Sequence, residues 1–367
     1  MKVPFNDLWR LNSRVYNEYL KIFEGIMKSS SFIGGEQVKR FEQDFARFVK
    51  SKHCIACANG TDAIQIAIQS LGLPKGLEVI LPTHTWVSTA EAVVEQGLIP
   101  VFCDSDENSL IDPKEIELLV TDRTSAIIVV HLAGLPCDLS TILKIAAKFK
   151  LRLIEDCAQA HGSLYKGSHV GVFSDLATFS FYPGKSLGAI GDAGCIITND
   201  IKLSNSARLY SNHGGKGIHD ISGINSRMDT LQAAFLSIKL VYFDDWQKSK
   251  KLAALRYNSR LKNLSNLLIL PSLGIPGRVP SWHLYMIRTK YRAELAEYLA
   301  KNGIDTNINY ARPLHKLTAF KDYPRGNCIN AELHCNEVLS LPIFPFMENA
   351  EIDYVCNTIE DFFKNPR

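Results

Sequence analysis

Seven short apolar runs, CIACA, EVILP, IPVFCD, SAIIVVHL, LRLIED, ATFSFY and GCIIT, alternate with longer segments between residues 54 and 198. The runs are almost continuously apolar, as strands buried on both faces are, and the segments between them, such as TILKIAAKFK, carry helical spacing. The alternation predicts an α/β domain built on a largely parallel sheet. After residue 228 the pattern changes to one long helix in which Leu231, Phe235, Ile238 and Tyr242 recur at helical spacing. A Pro/Gly-rich stretch at 271–280 leads into a strand (WHLYMIRT), a helix (RAELAEYLAKNG) and shorter elements. Two domains are expected: residues 1–245, an N-terminal segment with a large α/β domain, and residues 246–367, a smaller α+β domain hinged near residue 245.

The totals exclude several function classes. The net charge of +3 is spread along the 367 residues, with no basic block suited to nucleic acid or a membrane surface. No window approaches eighteen uninterrupted apolar residues, and the N-terminus lacks the apolar core of a signal peptide, so a cytoplasmic protein is expected. The nine cysteines are odd in number and scattered, which suits reduced thiols better than disulfides. Cys54 and Cys57 form a C-x-x-C, but no second pair stands at metal spacing and the segment reads as a strand. No metal ligand set is expected.

In open parallel sheets ligands sit beyond the carboxyl ends of the strands, so candidate residues are those that follow each run. In ANGTDAIQIAIQSLGL the apolar stripe Ile64, Ala67, Ile68 and Leu71 marks a helix whose start, at Gly60 and Thr61, offers free N–H groups to a phosphate. Asp156, with Glu155, Gln159 and His161 around it, ends a buried strand where a carboxylate needs a cationic partner. Trp86 of LPTHTWVSTAEAV could stack on a flat heteroaromatic ring or simply fill the core. Lys185 lies in FSFYPGKSLGAIGDAG, which has Phe179 where a phosphate-binding P-loop requires its first glycine. A lysine in an uncharged loop after a buried strand suits an imine-forming nucleophile, because desolvation favours the neutral amine. The glycines beside it read as room for a cofactor. Phosphate cradle, ring-nitrogen carboxylate, aromatic lid and reactive lysine are together the requirements of pyridoxal 5'-phosphate. No G-x-G-x-x-G follows any strand, which argues against a nicotinamide dehydrogenase.

FSFYPGKSLGAIGDAG, LIEDCAQAHG, NGTDA, PTHTWVSTAEAV, VHLAGLPCDL and GINSRMDTLQAA resemble, in order and spacing, the DegT/DnrJ/StrS-type nucleotide-sugar aminotransferases, and the likeness runs from VPFNDL to LSLPIFPFM. The resemblance implies fold type I of the pyridoxal phosphate enzymes, the aspartate aminotransferase-like fold, with a mostly parallel seven-stranded sheet and a homodimer with shared active sites. By the same resemblance Lys185 joins the cofactor, Asp156 meets its ring nitrogen and Gln159 its ring hydroxyl. Gly60, Thr61 and Ser180 hold the phosphate, Trp86 stacks on the ring, and Asn225 reaches a neighbouring subunit's phosphate. Tyr310 and His315 line the sugar-nucleotide site, and His213, Lys216 and His219 of the loop 213–223 face the diphosphate. Ser186 stands where asparagine is common, a departure expected to matter little.

The resemblance further implies L-glutamate as donor and a nucleoside-diphosphate keto-6-deoxyhexose, dTDP-linked, as acceptor, with amination at carbon 3 or carbon 4. The product is an amino sugar for a polysaccharide such as lipopolysaccharide O-antigen, or for a glycoside. Relatives with histidine in place of the lysine are dehydratases, so a sugar dehydratase and a non-catalytic regulatory homologue stand as alternatives.

Overall fold

The computed structural model describes residues 1–217 and 219–364. All seven apolar runs form strands of one sheet: β1 (His53–Cys57), β2 (Glu78–Pro82), β3 (Ile99–Cys103), β4 (Thr124–Val130), β5 (Arg152–Asp156), β6 (Leu176–Ser180) and β7 (Gly194–Thr198). Their order is β1-β7-β6-β5-β4-β2-β3, with β7 antiparallel to both neighbours and the other pairs parallel. Successive strand side chains enter opposite faces. Ile80, Ile127, Val129 and Leu153 join one core with Phe41, Phe45 and Ile142, while Val79, Leu81, Ile128 and Ile154 join another with Ile64, Ala67 and Ala90. The sheet is therefore buried on both sides, which is why its strands read as unbroken apolar runs.

The covering helices used below are α1 (Tyr16–Ser29), α2 (Gly35–Val49), α3 (Gly60–Ser70), α4 (Ser88–Glu95), α5 (Leu139–Phe149), α6 (Ile201–Tyr210) and α7 (Thr230–Leu261). The smaller domain adds the antiparallel pair β8 (Tyr285–Arg288) and β9 (Val338–Leu341), with α8 (Arg292–Lys301), α9 (Ile329–Glu337) and α10 (Asn349–Lys364). A three-stranded ribbon of two-residue strands links residues 164–169 to 278–279.

The structure departs from the expected boundaries in three places. Helix α7 passes straight through residue 245, and its buried side chains change from the large-domain core at Trp246 to the small-domain core at Ala253. Val3 belongs to the small domain's core and donates its N–H to Gly303 at 2.8 Å. Residues 314–331 return to the large domain, where Leu314, Phe320, Cys328 and Ala331 join its core and Leu314 donates its N–H to Thr83 at 2.8 Å. All nine cysteines are free and buried.

Candidate active site

The carboxyl edge of the sheet gathers its residues through register: Val130 pairs with Asp156, Asp156 with Thr178, Ser180 with Gly194, and Cys57 with the same Gly194. The loops beyond that edge enclose a cavity of about 670 Å³ whose walls include Gly60, Thr61, Trp86, Asp156, Gln159, Ser180, Lys185 and Tyr310. Every cofactor candidate except Asn225 thus meets in one place.

The start of α3 is shaped by Asn59, whose side chain accepts the N–H of Asp62 at 2.8 Å. That cap spends one first-turn donor and leaves the N–H groups of Gly60 and Thr61 without an intrahelical acceptor, at the positive end of the helix dipole. A Cβ on Gly60 would lie 2.6 Å from the Cβ of Ser180. Only glycine lets the helix start approach β6 so closely and keep a concave cradle there. The Thr61 and Ser88 hydroxyls stand 2.7 Å apart on its rim.

Asp156 is buried, and burial raises its pKa against the N–H of Ala158, 3.0 Å away, the positive charge of Lys185, and the Thr89 hydroxyl at 3.3 Å. Lys185 is half-buried at the cavity wall, and desolvation pulls its amine down to about 8 although Asp156 pulls it up. The pair therefore sets a carboxylate and an easily deprotonated amine on one cavity. Glu155, the neighbouring carboxylate, points the other way and accepts from His131 Nε2, the N–H groups of Gly171 and Phe173, and the Ser174 hydroxyl. His131, Glu155 and Cys157 converge within 4.8 Å, but the other ring nitrogen of His131 accepts the Cys137 N–H and the Glu155 oxygens are committed.

Gln159 accepts the Ala133 N–H at 2.6 Å and donates to the Tyr310 hydroxyl at 3.0 Å. Tyr310 leans on Trp86 with ring centroids 5.5 Å apart. Trp86 is 57% exposed on the cavity wall, so it does not fill the core.

The substrate candidates other than Tyr310 are placed elsewhere. His315 is buried behind the wall, its Nδ1 2.7 Å from the Thr83 hydroxyl and its Nε2 3.0 Å from Glu332, so both ring nitrogens are engaged. His213, Lys216 and His219 are exposed on the loop after α6, where His219 Nδ1 lies 2.9 Å from the His213 carbonyl. Asn225 is exposed and bridges Asn212 through the backbone. One of the glycines near Lys185 serves a different purpose from the one expected. A Cβ on Gly188 would stand 2.2 Å from the Pro183 carbonyl oxygen, so Gly188 lets the loop fold on itself instead of making room for a ligand.

Sequence reading missed Thr89, which faces Asp156, Lys250, which acts with Lys185 on the buried His161, and His283, a second buried imidazole that the same two lysines push down. His161 lies 5.4 Å from the rings of both Phe179 and Phe181, and burial pushes it down to about 3, with help from Lys185 and Lys250. No motif links positions 250 and 283 to the strand-end residues.

The profile of the DegT/DnrJ/EryC1/StrS aminotransferase family matches residues 14–360. This chain belongs to that family. It is an aminotransferase of fold type I, and its cofactor is pyridoxal phosphate. The cradle kept open at Gly60 and the lysine–carboxylate pair on the same cavity fit that cofactor. A "pleiotropic regulatory protein" of Geobacillus stearothermophilus is 40% identical over 100% of both chains. The dTDP-3-amino-3,6-dideoxy-alpha-D-galactopyranose transaminase of Aneurinibacillus thermoaerophilus is also 40% identical, over 98% of this chain and 99% of that relative. The solved structure of S. venezuelae DesV in complex with a ketimine intermediate superposes with a TM-score of 0.96 at 36% identity, covering 100% of each chain.

Proposed function

We propose that this aminotransferase moves an amino group from L-glutamate to carbon 3 of a dTDP-linked keto-6-deoxyhexose. The observation that carries the reading is the meeting of Lys185, Asp156 and the α3 cradle on one cavity. The choice of carbon 3 and of dTDP rests on the Aneurinibacillus relative and on the NSRMDTLQAA segment. The regulatory name of the Geobacillus relative comes with no loss of machinery here, since Lys185 and Asp156 both face the cavity.

The bound cofactor supplies an electron sink for the carbon that loses its proton. The Gly60 and Thr61 N–H groups and the Ser180 hydroxyl would hold its phosphate. Asp156 would keep a proton on the ring nitrogen, and Gln159, braced between Ala133 and Tyr310, would hold the ring hydroxyl. The Lys185 amine would carry the proton that leaves the α-carbon of the donor, and in the second half of the exchange the same amine would return a proton to the sugar carbon that accepts the amino group. Burial brings this amine down from the usual lysine range to about 8, which eases its deprotonation near neutral pH. Trp86 and Tyr310 cover the mouth and limit water.

A homodimer accounts for what this chain leaves open. Tyr16, Leu20, Phe23 and Met27 form an exposed apolar stripe along α1, and Trp86 and Tyr182 are exposed at the cavity mouth. Asn225, exposed on its own chain, suits a role in a neighbouring site, and Lys216, His213 and His219 suit the diphosphate of the acceptor. The nine free, buried thiols support a cytoplasmic setting, where the sugar nucleotide is made into an amino sugar for a polysaccharide.

The test is incubation with glutamate and a panel of 3-keto and 4-keto nucleotide sugars, with product mass and the position of the new amine as readouts. An amine at carbon 3 of the dTDP sugar is expected; amination at carbon 4 alone, or water loss without nitrogen gain, overturns the reading.

A further inference from the structure

One face of α7 is buried along its length, and half of it is polar. Gln232, Leu236, Lys239, Phe243, Trp246 and Lys250 recur at spacings of four and three, and all six are buried. Gln232 and Lys250 stand about five turns apart and so point the same way. Each polar member of this face ends on the loop that carries Lys185. Gln232 Oε1 accepts the Ile190 N–H at 3.0 Å, Lys239 Nζ donates to the Gly188 carbonyl at 2.6 Å, and Lys250 Nζ donates to the Ser186 hydroxyl at 3.1 Å. The three contacts fall on alternate residues of the loop.

Packing alone gives no reason for lysine at these positions. Burial is the one influence on either amine, pulling Lys239 down to about 8 and Lys250 to about 7, and no carboxylate opposes it. A buried amine without a counter-charge is unfavourable, and leucine or methionine would fill the same space. Lys239 lies 6.0 Å from the Tyr19 ring centre, a weak compensation. The loop needs an external hold, because beyond its own turns (Lys185 N–H to Tyr182 O at 2.8 Å, Ala189 N–H to Phe181 O at 2.7 Å) residues 182–190 belong to no strand or helix.

We propose that Gln232, Lys239 and Lys250 are positioning residues: three side chains from one helix face clamp the loop and hold Lys185 against Asp156. The clamp also explains Ser186, whose hydroxyl is the partner of Lys250. Because Lys250 sits between Trp246, the last side chain of this helix in the large-domain core, and Ala253, the first in the small-domain core, the clamp ties the lysine loop to the junction of the two domains. The inference rests on Lys185 as the reactive lysine, yet its test reads the loop itself and needs no turnover, so either reading can fail alone.

The experiment is amide hydrogen exchange on the full-length, cofactor-bound protein and its Lys239→Met, Lys250→Met, Ser186→Ala and Lys250→Met/Ser186→Ala variants. Exchange in peptides covering 182–192 is expected to rise about tenfold in each single variant, with β5 and α5 unchanged. Lys250→Met and Ser186→Ala act on one contact, so the double variant should exchange no faster than the faster single one. A spectroscopic readout accompanies it: the pH midpoint of the bound cofactor's visible absorbance shifts in the variants. The groups facing Lys185, namely Asp156 at the end of β5, His161 in the loop after it and His283 ahead of β8, remain in place. Unchanged exchange at 182–192, an increase spread over the whole protein, or additive effects in the double variant overturns the proposal. Ser186→Ala changes volume least and carries the test if a lysine variant does not fold.

Discussion

At the scale of single residues, the chemistry depends on how two charges are desolvated together. Lys185 would titrate near 10.5 in water; burial lowers it to about 8, and Asp156 restrains that fall. Below about pH 8 the amine is mostly protonated and inert, and above it the neutral nucleophile predominates. In cofactor-free protein, acylation of Lys185 followed by peptide mass should therefore rise about tenfold per pH unit up to about pH 8 and then level off. Asp156→Asn removes the charge that holds the value up, so its midpoint should move to lower pH; a midpoint that moves up would contradict the pairing. Lys185→Ala should lose at least about 10⁴-fold in turnover, since nucleophile and proton carrier go together.

Among the elements, α3 shows how a local signal becomes a site. Asn59 caps it, Ile64, Ala67 and Ile68 bury its inner stripe, and Gly60 lets its first turn meet Ser180. Gly60→Ala should keep the fold but push α3 from β6. We expect cofactor affinity to drop at least about tenfold, measured as visible absorbance retained after dialysis, because phosphate contacts at a helix start depend on close approach. Full retention would show that the cradle lies elsewhere. Helix α7 teaches the opposite lesson. Its apolar periodicity points to Leu231, Phe235, Ile238 and Tyr242, yet that stripe faces α1 with only Phe235 fully buried, and Tyr242 is exposed and bonded to Glu18. The deeply buried face holds Gln232, Lys239 and Lys250, which no hydrophobic pattern can reveal.

For the whole molecule, the two domains share more chain than a single boundary allows. Helix α7 spans both cores, Val3 crosses to the small domain, and residues 314–331 cross back. An ion pair reinforces the crossing, with Arg10 meeting Glu351 at 2.7 Å, while Arg256 and Arg260 meet Asp353 at 2.5 and 2.7 Å within the small domain. The exposed α1 stripe belongs to the same scale. Leu20→Glu with Phe23→Glu should convert the dimer proposed above into monomers in sedimentation and lower turnover, while the monomer stays folded by circular dichroism. An unchanged dimer mass would place the interface elsewhere.

The seven strands, the start of α3 and the lysine–carboxylate pair were all legible in the sequence, because burial on two faces, helix capping and desolvated charge each leave a mark within a few neighbouring residues. Buried lysines leave none: Lys239 and Lys250 are ordinary charged letters until the fold shows that their helix face is covered. The engagement of His315 with Thr83 and Glu332 likewise needed the tertiary structure, since those three residues are distant along the chain. Sequence alone determined which chemistry the chain is equipped for. Only the tertiary structure decided what holds the lysine in place, because that depends on contacts between residues 42 to 64 positions apart, beyond the reach of any local pattern.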